Sequence, residues 1–337
     1  MITSIRFRNF KVLRDTTLPL GPFTLIVGPN GSGKSTAMQA FSFIQHPQHY
    51  EYGKVVTSGL SAPDDIEIHI GSDISPNLTS AVLHHPDWYD ENPPSESGDH
   101  GRDEEGEILP LWKALKSFRL YSFDAKSIAQ PVGIDMKPEL RHDGFGLANV
   151  LDDLSDQEPE RWDALNSELQ QWLPEFDHIT FERSSGSHKI FQLRTAKGHF
   201  KYSASDLSQG TLFAVALLTL AYMKSPPAIV CLEEPEHGIH PRLLQNIRDA
   251  MYRLAYPKEF GANRDAVQVI ATTHSPYLLD LYKDHPEEVV IAHKDDQGAH
   301  FARLADKPNI TEILEGGGAP LGDIWFSGIL GGVPSSP

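Results

Sequence analysis

Nine consecutive residues, Gly28-Pro29-Asn30-Gly31-Ser32-Gly33-Lys34-Ser35-Thr36, fit the pattern G-x-x-x-x-G-K-[ST] in full. Their types suit one task, holding a polyphosphate. The glycines let backbone N–H groups close around phosphate oxygens, and a following helix adds its positive end. Lys34 supplies a point charge for the outer phosphates, and the Ser35 hydroxyl can reach a Mg²⁺ ion. We therefore take Asn30, Gly31, Ser32, Gly33, Lys34, Ser35 and Thr36 as candidate phosphate-binding residues. The flanks agree: Phe23-Thr24-Leu25-Ile26-Val27 reads as a buried strand, and Thr36-Ala37-Met38-Gln39-Ala40-Phe41 as the start of a helix.

Three further groups could complete such a site. Ala228-Ile229-Val230-Cys231-Leu232-Glu233-Glu234-Pro235-Glu236 is an apolar strand ending in acids. Glu233 can hold Mg²⁺, usually through water, and Glu234 can orient or deprotonate a water for in-line attack on a phosphate. Standing alone, the pair reads equally as a solvated acidic turn. Asp206-Leu207-Ser208-Gln209-Gly210-Thr211 precedes a helix. Ser208 and Gly210 there form either a second phosphate-accepting helix start or a plain N-cap. Thr272-Thr273-His274-Ser275-Pro276 follows a buried strand. His274 can touch an outer phosphate from that position or serve as a structural histidine.

The elements that must position these groups alternate along the chain. Residues 2–10 alternate as a half-buried strand, and 16–20 with 23–27 complete an early β layer. A helix spans 36–46, and residues 66–70 read as an edge strand. A helix over 109–117 precedes a strand at 118–123. Helices follow at 144–154 and 159–173, then strands at 178–182 and 189–194. From 209 the order becomes helix 209–223, strand 228–232, helix 241–255, strand 267–272 and helix 277–283. A hairpin, 288–293 with 300–304, turns at Asp295-Asp296-Gln297-Gly298, and that turn is a likelier use of the two aspartates than metal binding. Strands alternating with helices imply a largely parallel sheet covered on both faces.

The chain has 337 residues and a formal charge of −17. Residues 87–107 hold nine carboxylates and one arginine and read as a solvated acidic loop. So acidic a chain is a poor non-specific DNA binder, although Arg6, Arg8, Lys11 and Arg14 cluster near the start. The lone cysteine, Cys231, allows no internal disulfide. No signal-peptide pattern or membrane-length apolar run is visible, so a cytoplasmic protein without membrane contact is expected.

The order of the motifs resembles the ABC-type ATPase superfamily, in its SMC/RecF/OLD-like branch. Ile5-Arg6-Phe7-Arg8-Asn9-Phe10-Lys11 is similar to that branch's opening strand, and Glu234-Pro235-Glu236-His237-Gly238-Ile239-His240-Pro241 to its E-P-E-x-x-[LI]-H-P run. Gly322-Asp323-Ile324-Trp325-Phe326, with Gly331-Gly332, resembles small stand-alone ATPases of the branch. The resemblance implies an α/β P-loop NTPase fold: a mostly parallel sheet, an antiparallel β layer and helical or β insertions. It implies one ATPase domain over 1–337, with insertions at 47–117 and 135–205, the second replacing coiled-coil arms. It also implies ATP with Mg²⁺, and a head-to-tail homodimer sandwiching two ATP. Lys34 and Ser35 of one subunit would face Ser208 and Gly210 of the other. Glu234, His274 and Lys34 take the catalytic positions, and residues 237–240 the loop touching the partner. A glutamine that helps hold the metal normally follows the strand after the first insertion, and Gln130 is the nearest candidate. Glu233 departs from the branch, which usually has Asp there; the longer side chain implies more water-mediated coordination or slow hydrolysis.

The leading expectation is an ATP-hydrolysing dimer that acts as a nucleotide-gated switch for a separate effector, plausibly in a bacterial defence or toxin-type operon. The region before Ser208 is too short for arms, and no appended nuclease domain is expected after the core. One alternative is a DNA-acting repair clamp using the Arg6, Arg8, Lys11 and Arg14 face, which reads otherwise as a solvated strand face. Another is a nucleotide-binding scaffold with little turnover.

Overall fold

The computed structural model describes residues 1–45, 54, 56–57, 66–73, 80–83, 110–184, 186–316 and 318–331. The acidic segment 87–107 and most of the insertion 47–117 lie outside these. The described chain forms two compact units.

The first unit comprises Met1–Phe118, Ala228–Cys231 and Gln268–Pro337. Strand β1 (Ile2–Phe10) pairs antiparallel with β2 (Leu13–Pro19) and with β4 (Ile66–Ser72). Beyond β4 lies β5 (Ser80–Leu83), giving the order β2-β1-β4-β5. β4 is thus an interior strand, not the edge strand its alternation suggests, because β5 covers its outer side. Between β1 and β4 in the chain come β3 (Phe23–Val27), buried throughout, and helix α1 (Lys34–Gln45). The helix buries Met38, Phe41, Phe43 and Ile44, with Phe43 against Phe10 and Phe41 stacked on Phe118 at 4.8 Å.

Helix α2 (Pro110–Lys116) leads into β6 (Phe118–Tyr121). A second sheet has six strands in the order β14-β13-β3-β12-β11-β6. Here β11 is Ile229–Glu233, β12 Gln268–Thr273, β13 Val289–Asp295 and β14 Gly298–Arg303. β3 runs parallel to both β12 and β13, and β14 closes the edge antiparallel to β13. The expected parallel-rich sheet with an antiparallel layer is present. Buried Gln268 ties β12 to β1: its side chain accepts from Ile2 N and donates to the Ile2 and Gly21 carbonyls. A buried amide satisfied this fully holds its neighbours in register.

The second unit comprises Arg119–Pro227 and Leu232–Val267. After α3 (Ala125–Ile128) and β7 (Val132–Gly133) come helices α4 (Leu147–Gln157) and α5 (Pro159–Trp172). Strands β8 (Phe176–Ser184), β9 (His188–Thr195) and β10 (Lys201–Ser203) follow, with β9 between β8 and β10. Asn166 of α5 accepts from Ile179 N and donates to the Trp162 carbonyl, joining helix to sheet. Helix α6 (Gln209–Tyr222) is buried from Thr211 to Tyr222. An all-round apolar helix belongs at the centre of a unit. Helix α7 (Leu244–Ala255) completes the unit. The expected helix over 241–255 starts instead as a 3₁₀ turn at Pro241–Leu243, because the His240 imidazole accepts from Arg242 N and caps the tighter turn.

Candidate functional site

The phosphate-binding pattern folds as a loop between β3 and α1, in the first unit. Two of its glycines follow from close packing. A Cβ on Gly28 would lie 2.3 Å from the Ala292 carbonyl oxygen and 2.8 Å from Ser32 Oγ. Gly33 has φ +95° and would place a Cβ 2.8 Å from the Ala299 side chain. Both positions therefore exclude any larger residue, whatever binds the loop. Gly31 differs: φ is +78°, and nothing stands within 4 Å of its missing Cβ. Its exposed face, with exposed Asn30 and Ser35, is the open side of the loop.

Lys34 is buried and its Nζ donates to the carbonyls of Gly28 and Pro29, at 2.7 and 3.0 Å. Ser32 Oγ is buried with no hydrogen-bond partner. A buried hydroxyl without a partner normally has an unseen one. Ser35 is the second residue of α1, and Thr36 the third. Glycine cradle, lysine and helix start fit a polyphosphate.

Strand register brings His274 to the same sheet edge. Thr273 lies opposite Val27, so His274 and Gly28 leave the sheet at one level. His274 is exposed there. Ser275 follows as the cap of helix α8 (Pro276–Asp280), accepting from Leu278 N, and the Thr273 hydroxyl accepts from Ser275 N. Helix α8 ends at Asp280, shorter than the expected 277–283. The late motif docks on it. Gly322, in α10 (Leu321–Phe326), packs where a Cβ would lie 2.6 Å from Pro276, and Gly322 N donates to Asp280 Oδ1 at 2.7 Å. α9 (Ile310–Gly316) precedes it. Asp280 was not a candidate; no local pattern marks it, since its partner lies 42 residues away.

In the second unit, Ser208 is the N-cap of α6: its Oγ accepts from Thr211 N and lies 2.8 Å from the Thr211 hydroxyl. The plain-cap reading is thus realised, and Ser208 is also exposed. Gly210 faces Gly238 so closely that a Cβ would lie 2.5 Å from the Gly238 carbonyl oxygen. Gly238, at φ +69°, seats the Gln209 side chain in turn. The two glycines join Ser208-Gln209-Gly210 to the His237-Gly238-Ile239-His240 loop.

Glu233 ends β11, and Glu234 follows in the left-handed region at φ +46°. Such a backbone is uncommon for a residue with a Cβ and costs about 1–2 kcal/mol. Tight turns hold it: His237 N donates to the Glu234 carbonyl at 2.8 Å and Ile239 N to the Glu236 carbonyl at 3.1 Å. The His237 ring nitrogen is 3.8 Å from Glu234 Oε2. Gln130 lies after α3 and is exposed, its N–H donating to the Ser127 carbonyl.

The aspartate pair forms the turn expected of it. Asp295 and Asp296 form the β13–β14 turn, with Asp295 Oδ1 accepting from Gln297 N and from His300. That turn hydrogen bond and the His300 contact hold the Asp295 carboxyl below its ordinary range. The N-terminal basic cluster is paired: Arg6 with Asp15, Arg8 with Glu67, Lys11 with Gln39, and Arg14 with the Asp296 carbonyl. Among the described residues no helix is long and apolar enough to cross a membrane.

Comparison with known proteins agrees with this architecture. Residues 60–280 match the family described as "AAA domain, putative AbiEii toxin, Type IV TA system". Residues 1–81 match a second family, "AAA ATPase domain". The chain is 22% identical to the OLD nuclease of Thermus scotoductus, over 93% of this chain and 66% of that protein. It thus spans less than two thirds of that relative's length. Among solved structures it resembles the SmcHead bound to the C-winged helix domain of ScpA, at TM-score 0.57 and 14% identity, covering 89% of this chain and 96% of the other. The SMC head domain from Thermotoga maritima matches at TM-score 0.44 and 14% identity, covering 90% and 98%. The chain belongs to the first of these AAA-domain families and is an SMC/RecF/OLD-like ABC-type ATPase.

Proposed function

We propose that this ATPase is a nucleotide-gated switch: a head-to-tail homodimer, cytoplasmic, that closes on two ATP and opens on hydrolysis to control a separate effector. The observation that carries the reading is the exposed Ser208 cap, set beside Gly210 and braced by the 237–240 loop. A helix start presented outward in this way suits the phosphates of a nucleotide held by another subunit. Residues 1–337 act as one ATPase domain in this scheme.

Each residue has a distinct part. Asn30, Gly31, Ser32, Gly33 and Thr36 surround the phosphates. Lys34 exchanges its carbonyl partners for phosphate oxygens, so the ammonium is satisfied in both states. Glu234 orients and deprotonates the attacking water, and its strained backbone fixes where the carboxylate points. His274 meets the outer phosphate. Ser35, Glu233 and Gln130 are the residues offered to Mg²⁺, which when bound neutralises phosphate charge. Glu233, one methylene longer than Asp, favours contact through water.

The type IV toxin–antitoxin description of the matched family and the OLD nuclease relative support an effector of nuclease or toxin class and a defence setting. Arg6 and Arg8 each pair with a carboxylate, which lowers the net charge of that face and favours the solvated-face reading over a clamp.

The test combines steady-state ATP hydrolysis with light scattering. Glu234→Gln should abolish turnover and accumulate an ATP-bound dimer. Ser208→Arg should bind ATP as a monomer but neither dimerise nor hydrolyse, and Lys34→Ala should lose ATP binding. An Glu234→Gln protein that stays monomeric with saturating ATP would refute the gating reading.

A further inference from the structure

Within the second unit, α6 packs against both α5 and α7, and a group of charged side chains gathers where α6 and α7 end. The Tyr222 hydroxyl donates to Glu168 Oε2 of α5, and Arg253 Nη2 donates to the same oxygen at 2.8 Å. The Arg253 guanidinium lies between two rings, 4.8 Å from Tyr222 and 5.0 Å from Phe260. Glu158, which precedes α5, is shared by Arg161 and Lys224. Arg264 reaches back over the end of α7, its Nη2 donating to the Arg253 carbonyl at 2.7 Å. Four cations thus face two carboxylates, and two formal positive charges stay unmatched in a chain of charge −17.

Helix ends favour cations, which accounts for arginines collecting here. It does not account for their free donors. Among the described residues, Arg264 Nε, Arg264 Nη1 and Arg253 Nε are buried with no hydrogen-bond partner. A guanidinium keeps its proton and offers donors only, so each of these nitrogens calls for an acceptor.

The chain supplies none. Glu259 and Asp265, the carboxylates closest to Arg264 in sequence, are exposed and make no ion pair with it among the described residues. Glu168 is held by Tyr222 and Arg253, and Glu158 by Arg161 and Lys224. Burial, and then the charges of Arg161 and Arg253, push the Arg264 pKa down to about 10, so like charges face this group and no carboxylate offsets them. A half-buried cation in that setting destabilises a fold unless an anion joins it.

We propose that Arg264, Arg253 and Arg161 form a phosphate site separate from the phosphate loop, taking inorganic phosphate or the phosphate group of a small ligand. Guanidinium groups are the side chains best suited to phosphate oxygens. A phosphate group carries about −1.5 to −2 near pH 7 and matches the two unmatched charges, where a carboxylate would leave one over. The site joins the far ends of two helices, α6, which starts at the Ser208 cap, and α7, which follows the 237–240 loop. A bound phosphate therefore braces both from the end opposite those segments.

The experiment is thermal melting of the full chain without nucleotide, so that its outcome is independent of the switch reading. Inorganic phosphate, glycerol phosphate and acetate, each at about 10 mM, are compared with sodium chloride of equal ionic strength. Lys34→Ala, measured alongside, removes phosphate held by the loop. In both chains phosphate should raise Tm by at least about 3 °C over the chloride control. Adding Arg264→Gln to Lys34→Ala should abolish the rise, while melting no lower than its parent in chloride because an unpaired cation has gone. Arg161→Gln, which leaves the Arg264–Arg253 hydrogen bond in place, should weaken the apparent phosphate affinity at least about fivefold. A rise with inorganic phosphate alone identifies the free ion and a rise with glycerol phosphate as well identifies a phosphorylated ligand; either supports the site. No rise beyond chloride in Lys34→Ala overturns the proposal. So does a rise that survives both arginine variants, or one that acetate reproduces in full, which would mark a carboxylate site instead.

Discussion

Replacing Gly210 by Ala sets two effects of opposite sign against each other. Gly210 is the second residue of α6 and has ordinary helical backbone. Helix propensity alone would then stabilise Ala by up to about 1 kcal/mol. The added methyl would, however, stand 2.5 Å from the Gly238 carbonyl oxygen and 3.4 Å from Ile239 Cα. The obstructing atom is backbone, so Gly238 cannot yield by turning a side chain. Overpacking of this kind costs about 1–3 kcal/mol. The net expectation is a loss of up to about 2 kcal/mol, or a few degrees in Tm. The functional loss should be larger. The methyl must push Ser208-Gln209-Gly210 away from residues 237–240 by several tenths of an ångström, and misplacement approaching 1 Å can lower turnover about 100-fold. Melting by circular dichroism and steady-state ATP hydrolysis at saturating ATP measure the two parts. A Gly210→Ala protein with raised Tm and unchanged kcat would show that the two segments are not in contact as described.

Two further outcomes follow from the same structure. Glu234→Gly relieves the φ +46° backbone while Glu234→Gln keeps it. Both should lose hydrolysis, but the Gly variant should melt higher than the Gln variant, by about 1 kcal/mol; a lower Tm for Gly would mean the position is not strained. Burial, and then the Arg194 charge, hold the His178 imidazole below its ordinary pKa. The unfolded chain therefore binds that proton more readily, and stability should fall as pH drops below about 6.5. His178→Gln should flatten Tm between pH 7 and 5.5, and parallel curves for the two proteins would refute the assignment.

The phosphate loop was legible because everything it needs is local: an apolar strand, a glycine-rich loop and a helix within 23 residues of one another. β11, β12 and the β13–β14 hairpin were legible for a similar reason, since continuous apolar runs bounded by turn residues have few other uses. β4 was misplaced at an edge because its partner β5 is only Ser80-Ala81-Val82-Leu83, too short to show the alternation that would announce a strand. Helix α8 was read too long because the apolar pattern continues through Tyr282, while the chain bends after Asp280.

What the motifs did not disclose is why their glycines are there. The pattern suggests that Gly28, Gly31, Gly33 and Gly210 each admit phosphate. Among Gly28, Gly31, Gly33, Gly210 and Gly322, only Gly31 has open space where a side chain would go. Gly28 and Gly33 are required by Ala292 and Ala299, more than 250 residues later, and Gly210 and Gly322 by Gly238 and Pro276. Four of these five glycines thus admit protein rather than ligand, which a linear pattern cannot distinguish. It follows that variants of Gly28, Gly33 and Gly322 disturb packing before they disturb nucleotide. Gly31 is the position of this set at which a substitution meets no packing clash, only the backbone strain of φ +78°, about 1–2 kcal/mol, so a loss of affinity there reports on the phosphate loop rather than on packing.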